Sequence, residues 1–296
     1  MKLRSEFCRI VPVILAIAGI SAGFQEPESA PPIAPEEILV QERTDIIRDR
    51  FETPAFWGTT LVNLPTPRPI GKGDVLFRVS HRFFPAVKEG YDFFYGLDGP
   101  ASILLGLGYG FSDNLDLTLT RANLSKELEL ALQWTLGDQT DMDSPFSAAI
   151  RGSASLITLP SPEKKTFHAD HTRLNFLASL AYRVHPSISL LLVPGYSTNT
   201  APAQESSRGT LFLGVGGRVF IANDYSVLLE WIPVLSGYAL NSTGWALGIE
   251  KKIGAHVFQV FVLNSIGIST AQFVPGGDFR IGDGEYRIGF NILRWF

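Results

Sequence analysis

The chain has 296 residues, a formal charge of −4 from 25 basic and 29 acidic residues, and one cysteine, Cys8. Only 18% of its residues are charged, against about 25% in soluble globular chains. These values exclude a disulfide-stabilised scaffold, and the small, balanced charge gives no sign of a nucleic-acid partner.

The N-terminus has the pattern of a secretory signal peptide. Lys2, Arg4 and Arg9 form a basic region, residues 10–20 an apolar core, and residues 21–23 a zone of small residues suited to cleavage. The alternative is a membrane anchor, but this apolar core is well short of the ~20 residues that span a bilayer. We therefore predict a cleaved signal peptide at residues 1–23.

Residues 24–57 are predicted to form a flexible linker in the periplasm, because residues 24–35 are rich in Pro, Glu and Ala and offer nothing to pack. Within this segment, residues 36–50 can form a short amphipathic helix. Its apolar positions are Ile38, Leu39, Ile46 and Ile47.

From Asp74 onward, apolar and polar residues alternate with period two, the pattern of strands with one apolar and one polar face. We count about 12 such segments, most close to the ~9 to 11 residues of a membrane-crossing strand. The pattern predicts an all-β fold: residues 58–296 form a single antiparallel up-and-down transmembrane β-barrel, preceded by a short periplasmic segment.

The connections between these strands alternate in length. Short turns are predicted at 112–114, 185–187, 222–225 and 253–254, and long loops at 85–100, 158–172, 197–209, 235–243 and 265–284. Outer-membrane barrels have short periplasmic turns and long outer loops, so we assign the short turns to the periplasmic side and the long loops to the outer side. Residues 137–145 and 122–125 depart from the rule, since the first is long and the second short.

A soluble β-sandwich or lipocalin-like barrel also alternates, with its apolar face inward. The polar faces here carry Gly, Ser and charges of both signs, which suits a lumen better than an exposed surface. Aromatic residues near the strand ends are predicted to form girdles at the membrane interfaces. They are Phe83, Tyr109, Phe111, Trp134, Tyr182, Tyr196, Trp231, Trp245, Tyr286 and Phe296.

The last strand ends on Phe296, with Tyr286, Ile288, Phe290 and Ile292 on the same face. This pattern resembles the C-terminal signal that the outer-membrane assembly machinery recognises. Arg294 departs from it, because an apolar residue is usual there.

Three segments carry a family resemblance: residues 58–84, with Gly71-Lys72-Gly73 before the strand FRVSHRF; residues 91–100, YDFFYGLDGP; and residues 275–292. Together they resemble a family of bacterial outer-membrane β-barrels designated domain of unknown function 5777. The resemblance covers most of the chain beyond about Pro54. It implies a barrel and supplies no activity or site residues.

Charged residues on the inward faces are the candidate functional residues, as determinants of selectivity. They are Arg78, Arg82, Asp116, Glu127, Glu129, Arg151, Arg173, Arg183, Arg218, Glu230, Glu250 and Arg287. They can pair across strands in a closed interior, or form rows whose field selects solutes. Inward glycines argue for a pore, since they leave space; they are Gly106, Gly108, Gly110, Gly214 and Gly216.

Catalysis is not expected. Ser80 and His81 are neighbours on a strand and face opposite ways, so they cannot form a nucleophile–base pair. The motif His168-Ala169-Asp170-His171 has no third spaced ligand, so we predict no metal site. The sequence therefore predicts no enzyme and no cofactor.

The sequence supports two functions in the outer membrane. The first is a narrow, porin-like channel for the passive transport of small polar solutes. The alternative is a plugged structural or interaction barrel that binds a partner through its outer loops or N-terminal segment, without transport. The predicted partners are outer-membrane lipid, the barrel assembly machinery and, for the first function, a small polar solute.

Leu117→Arg should impair membrane assembly, and the inward Thr118→Arg should be milder.

Overall fold

The computed structural model describes residues 54–137, 144–159, 171–201 and 209–296. The predicted signal peptide, residues 24–53 of the predicted linker with its helix, and residues 168–170 of the histidine motif lie outside these ranges. No helix in the described ranges has the length and apolar character needed to cross a membrane.

Antiparallel strands form nearly all the regular structure of the described residues. They are β1 Val75–Phe83, β2 Ala101–Ser112, β3 Leu115–Ala122, β4 Glu127–Gly137, β5 Phe146–Ile157, β6 Thr172–His185, β7 Ile188–Ser197, β8 Thr210–Ala222, β9 Tyr225–Ile232, β10 Val234–Gly237, β11 Gly244–Ile253, β12 His256–Leu263 and β13 Arg287–Trp295. The short helices are α1 Thr270–Phe273 and 3-10 turns at Val87–Gly96, Leu124–Lys126 and Ile281–Asp283.

The sheet closes on itself. Consecutive strands pair antiparallel, and β13 pairs with β1 through seven residue pairs from Leu76↔Trp295 to Arg82↔Gly289. Both β9 and β10 pair with β8, so they form one barrel strand interrupted at Pro233, which has no backbone N–H to donate. The result is a closed barrel of twelve strands, which confirms the predicted fold class.

Turn chemistry sets one end of the barrel. Two-residue turns join β2 to β3, β6 to β7, β8 to β9 and β11 to β12, all at the same end, which we call the turn end. Asn223 and Asp224 both have positive φ, as a two-residue turn of type I′ requires. The opposite end, which we call the loop end, carries long connections such as residues 84–100 and 264–286.

The outer face is apolar and has an aromatic belt at each end. Its strands expose large apolar side chains such as Leu105, Leu130 and Val260. The turn-end belt contains Tyr109, Phe111, Trp134, Phe146, Tyr182 and Phe296; the loop-end belt contains Phe83, Tyr196, Trp231, Trp245 and Tyr286. An apolar band between two aromatic belts is the surface of a barrel that spans a membrane.

Residues 54–73 lie inside the barrel as a hairpin, which we call the lumenal hairpin. Thr60 and Pro65 form its antiparallel bridge, and the Leu61 N–H donates to the Leu64 carbonyl oxygen at 2.8 Å across its tip. Phe56 and Trp57 are buried, so the hairpin begins within the segment that was predicted to be a linker up to residue 57. Both arms of the hairpin lie near the turn end, and its tip lies deep in the lumen.

A second segment enters from the loop end. Residues 264–286 form what we call the inserted loop, of which residues 265–284 were predicted to be an outer loop. Its helix α1 lies within the barrel instead: the Thr270 N–H and hydroxyl both donate to Glu129, at 3.2 and 2.8 Å. Phe273 and Val274 of this loop are buried in one apolar cluster with the hairpin tip.

This lumenal apolar cluster corrects the prediction of a polar lumen. The hairpin contributes Ala55, Phe56, Leu61, Val62 and Leu64; the wall contributes Leu177, Ala181, Leu191, Val193, Phe212, Leu228, Ile232, Ala246, Phe261 and Leu263. The apolar wall residues of this cluster lie on β6 to β12, among buried charges of the same strands such as Arg218 and Glu230. Apolar wall residues face inward there because the hairpin, rather than water, covers them.

The inward glycines do leave space, but the hairpin fills much of it. A Cβ at Gly214 or Gly216 would overlap the side chain of Leu64 or Leu61, and one at Gly110 would overlap the backbone of Gly71. A Cβ at Gly108 would meet Ile70. At these four positions glycine allows the hairpin to approach the wall closely, so the interpretation that they open a pore is wrong.

Candidate functional site: the filled lumen

All twelve predicted lumen charges lie at inward positions of their strands, and they differ only in how deeply they are buried. Arg78 and Arg151 are half-buried, and the other ten are buried: Arg82, Asp116, Glu127, Glu129, Arg173, Arg183, Arg218, Glu230, Glu250 and Arg287. The alternation with period two determines this placement, since every second side chain faces the lumen. Their predicted role in selectivity stays a prediction.

Several of these charges neutralise one another. The Arg173 Nη1 lies 2.8 Å from Glu127 Oε2, and Arg218 Nε lies 3.2 Å from Glu250 Oε1, with all four side chains buried. Arg287 pairs at 2.6 Å with Asp278 of the inserted loop, a residue that the sequence analysis missed because it lies outside any strand. These contacts agree with the interpretation in which charges pair in a closed interior.

Glu230 of β9 holds the tip of the lumenal hairpin. Its Oε1 accepts the backbone N–H groups of Val62, Asn63 and Leu64 at 2.7 to 2.9 Å, and its Oε2 accepts the Asn63 amide at 3.0 Å. The side chain is fully buried. A carboxylate surrounded by several N–H donors compensates for the loss of water, so the hairpin tip and Glu230 satisfy each other.

Other polar side chains, most of them uncharged, bind the rest of the hairpin. Gln133 Nε2 donates to the carbonyl oxygens of Thr66 and Arg68, each at 3.2 Å, and Asn291 Nδ2 donates to Val62 O at 2.9 Å. Further wall donors are Arg82, Thr135, Ser179, Arg218 and Gln259. With Glu230 and Asp116 as acceptors, side chains from β1, β3, β4, β6, β8, β9, β12 and β13 contact the hairpin.

These amide side chains are functional residues that the sequence analysis left out. Asn and Gln at inward strand positions were the available signal, because an amide can donate to an irregular backbone that lacks a strand partner. The hairpin itself gave little signal, since residues 54–73 have neither alternation nor helical period. Because the hairpin does not pair as a strand of the barrel, polar side chains of the wall make hydrogen bonds to its backbone groups.

The side of the lumen nearest β1 to β5 is less tightly filled. Two cavities of about 30 Å³ lie there, one toward the turn end beside Asp116 and Gln133, the other beside Glu129 and the inserted loop. Arg78 and Arg151 line both. Each cavity has room for about one water molecule, so neither is a continuous passage for solutes.

The pair Arg173–Glu127 gives a stability prediction. Arg173→Met should lower the free energy of unfolding by about 3 to 5 kcal/mol, because it leaves a buried carboxylate without its cation. Thermal unfolding followed by the gel mobility of the folded barrel measures this. The control is Lys88→Met, which breaks the partly exposed pair with Glu285 and should cost less than about 1 kcal/mol. An equal effect of both variants would contradict the assignment.

The residues of the predicted assembly signal lie as expected on the outer face of the final strand. Ile288, Phe290 and Ile292 are half-buried there, Phe296 is exposed, and Tyr286 precedes β13. Arg294 shares this face and lies over the Phe296 ring, 4.4 Å from its centroid. Recognition by the assembly machinery stays a prediction.

Solved structures similar to this chain are outer-membrane barrels. They include the NanC porin, with a TM-score of 0.48 and 8% identity over 75% of this chain and 99% of that one. Another is the COG4313 outer membrane channel from Pseudomonas putida F1, with a TM-score of 0.46 and 11% identity over 76% of this chain and 96% of that one. A third is Omp33 from Acinetobacter baumannii, with a TM-score of 0.39 and 9% identity over 76% of this chain and 99% of that one. Such distant similarity does not carry the properties of these proteins to this chain.

A family model described as a membrane bound beta barrel domain, DUF5777, matches residues 56–296. The match begins within the lumenal hairpin, so hairpin and barrel belong to one family unit. No curated protein matches the chain. No enzymatic family is indicated. Together with the apolar outer band and its two aromatic belts, the match shows that the chain belongs to the DUF5777 family and is a β-barrel of the outer membrane.

Proposed function

We propose that the protein is a plugged outer-membrane barrel that does not conduct at rest and acts as a structural or interaction barrel. The observation that carries this proposal is the lumenal hairpin, which contacts side chains of eight strands and is buried together with the inserted loop. Both arms of the hairpin lie near the turn end, which faces the periplasm in barrels of this type. The segment before residue 54 is therefore the periplasmic candidate for binding a partner.

The strength of hairpin packing supports a resting closed state. Six large side chains of the hairpin are buried: Phe56, Trp57, Leu61, Val62, Leu64 and Ile70. At about 1.5 to 3 kcal/mol for each, their exposure costs on the order of 10 kcal/mol. The conformational entropy that a released hairpin would regain opposes this cost, and the hydrogen bonds from the wall to the hairpin add to it. This packing supports a barrel that is closed at rest.

Passage of small polar solutes is the second candidate, and the two cavities lined by Arg78 and Arg151 favour it. They mark the side on which the hairpin fits the wall least closely. In this candidate a periplasmic partner supplies the free energy that withdraws the hairpin, and the charged wall residues then face a solute. Outer-membrane lipid on the apolar band, and the assembly machinery at the C-terminal strand, are proposed partners for both candidates.

An engineered disulfide tests the position of the hairpin. We expect Leu64→Cys with Gly214→Cys to oxidise spontaneously, because a Cβ at position 214 would lie 3.2 Å from Leu64 Cγ, near the place that the sulfur of a cysteine at position 64 would take. The chain's single natural cysteine, Cys8, lies in the predicted signal peptide. Mobility of heat-denatured protein on non-reducing gels measures the bond. Leu64→Cys with Gly152→Cys is the control, since Gly152 lies on the outer face.

Planar-bilayer recording separates the two functions. The wild-type protein and the oxidised 64–214 variant should both be silent. Steady single-channel steps from the oxidised variant would overturn the proposal that the hairpin closes the barrel. Steps that appear only after reduction, or only with a periplasmic extract, would support the second candidate.

A further inference from the structure

The two small lumenal cavities meet at a common wall. Four residues line both of them: Thr60 of the hairpin, Arg78 of β1, Thr120 of β3 and Arg151 of β5. We call these four residues the cavity junction. It combines two guanidinium groups with two hydroxyl groups, and it contains no carboxylate.

Several polar groups at the junction have no protein partner within the described residues. Within the described residues, no hydrogen bond or ion pair joins Arg151 to another side chain, and Arg78 donates through Nε to Ser80 at 2.8 Å. The buried hydroxyl oxygen of Thr60 has no partner in that part of the chain, and neither has that of Thr118, which lines the turn-end cavity. A buried hydroxyl without a partner is costly, and the half-buried guanidinium groups keep donors accessible beside it, so an acceptor from outside the protein can satisfy both.

Neighbouring carboxylates do not supply this acceptor. Asp116 lines only the turn-end cavity, where its Oδ2 accepts the Ile70 N–H at 3.4 Å. Glu129 lines only the other cavity, and its oxygens accept from Ser153 and Thr270. Each carboxylate thus lies to one side of the junction: Glu129 attracts Arg78 and Asp116 attracts Arg151, while the two arginines repel each other across it.

We propose that the cavity junction binds a single monatomic anion of the size of chloride. Two like charges in a poorly hydrated interior favour a bound counterion, which removes their repulsion and accepts from the nearby hydroxyls. The cavity volume of about 30 Å³ each limits the ligand to about the size of one water molecule. The site exists in the closed barrel, so it does not depend on whether the hairpin ever withdraws.

Bromide substitution and thermal unfolding of the full-length folded protein test this site. Crystals grown in sodium bromide should show an anomalous peak between Arg78 and Arg151. In detergent, sodium chloride should raise the unfolding midpoint by about 2 to 4 °C over sodium gluconate at equal ionic strength, as expected for a ligand present at several times its Kd.

Two variants make the thermal result specific. Arg151→Gln should lose at least half of the chloride-dependent rise, because it removes one of the two cations. Arg280→Gln, at an exposed position of the inserted loop, should keep all of it. A water molecule at the junction with no anomalous bromide peak would overturn the proposal. An equal chloride effect in wild type and Arg151→Gln would also overturn it.

Discussion

Glu230→Ala should release the tip of the lumenal hairpin and destabilise the barrel by several kcal/mol. The substitution leaves three backbone N–H groups at residues 62–64 buried without an acceptor, at about 1 to 3 kcal/mol for each. It also creates a cavity next to Leu61. We expect a lower midpoint of thermal unfolding and new protease cleavage within residues 54–73.

Glu230→Gln is the matched control for this prediction. Its amide oxygen can still accept the three backbone N–H groups, and what changes is the contact between Oε2 and the Asn63 amide. We expect a clearly smaller loss of stability and no cleavage of the hairpin. If Ala and Gln at this position were equally stable and equally protected, Glu230 would not be what anchors the tip.

Leu117→Arg should reduce the amount of folded barrel in the membrane strongly. Leu117 lies on the outer face of β3 and pairs with Leu132, the central residue of β4. An arginine on the lipid face near mid-depth costs about 2 to 4 kcal/mol, and this falls to about 0 to 1 near the interfaces. Cell fractionation with a gel that distinguishes folded from heated barrel measures the effect.

Leu235→Arg controls for the charge itself, because Leu235 is exposed on the short β10 at the loop end of its strand. Its folded yield should be near that of the wild type. Wild-type yield of Leu117→Arg would contradict the outward assignment of this row. Thr118→Arg, which the inward pattern predicts to be mild, meets a different obstacle: Thr118 borders the same cavity as Ile70 and Gly108, so the larger side chain would press on the hairpin.

Much of the cylinder could be predicted from the sequence, because local chemistry specifies it. Alternation places Arg173 and Glu127 inward and Leu130 outward, since side chains of a strand point to opposite faces. Turn residues such as Asn223-Asp224 mark where strands reverse. Both signals act over a few residues, and both agree with the observed strand bounds.

The content of the lumen could not be predicted in the same way. The hairpin of residues 54–73 depends on contacts with residues far along the chain, such as Val62 with Asn291, 229 positions away. Gly214 shows the difficulty well. In the sequence, this glycine indicates free space at an inward position. The structure shows that Leu64 of the hairpin occupies that space. The inserted loop is irregular too, so its length suggested an outer position.

Covalent continuity between the hairpin and β1 has a consequence for how each molecule is made. The hairpin ends at residue 73, two positions before Val75, where β1 begins. β1 is one of the two strands that pair where the sheet closes. Every copy of the barrel therefore carries its own lumenal hairpin, in a fixed ratio of one to one, joined directly to a strand at which the sheet closes. No separately synthesised subunit has to enter the barrel to occupy this part of its lumen.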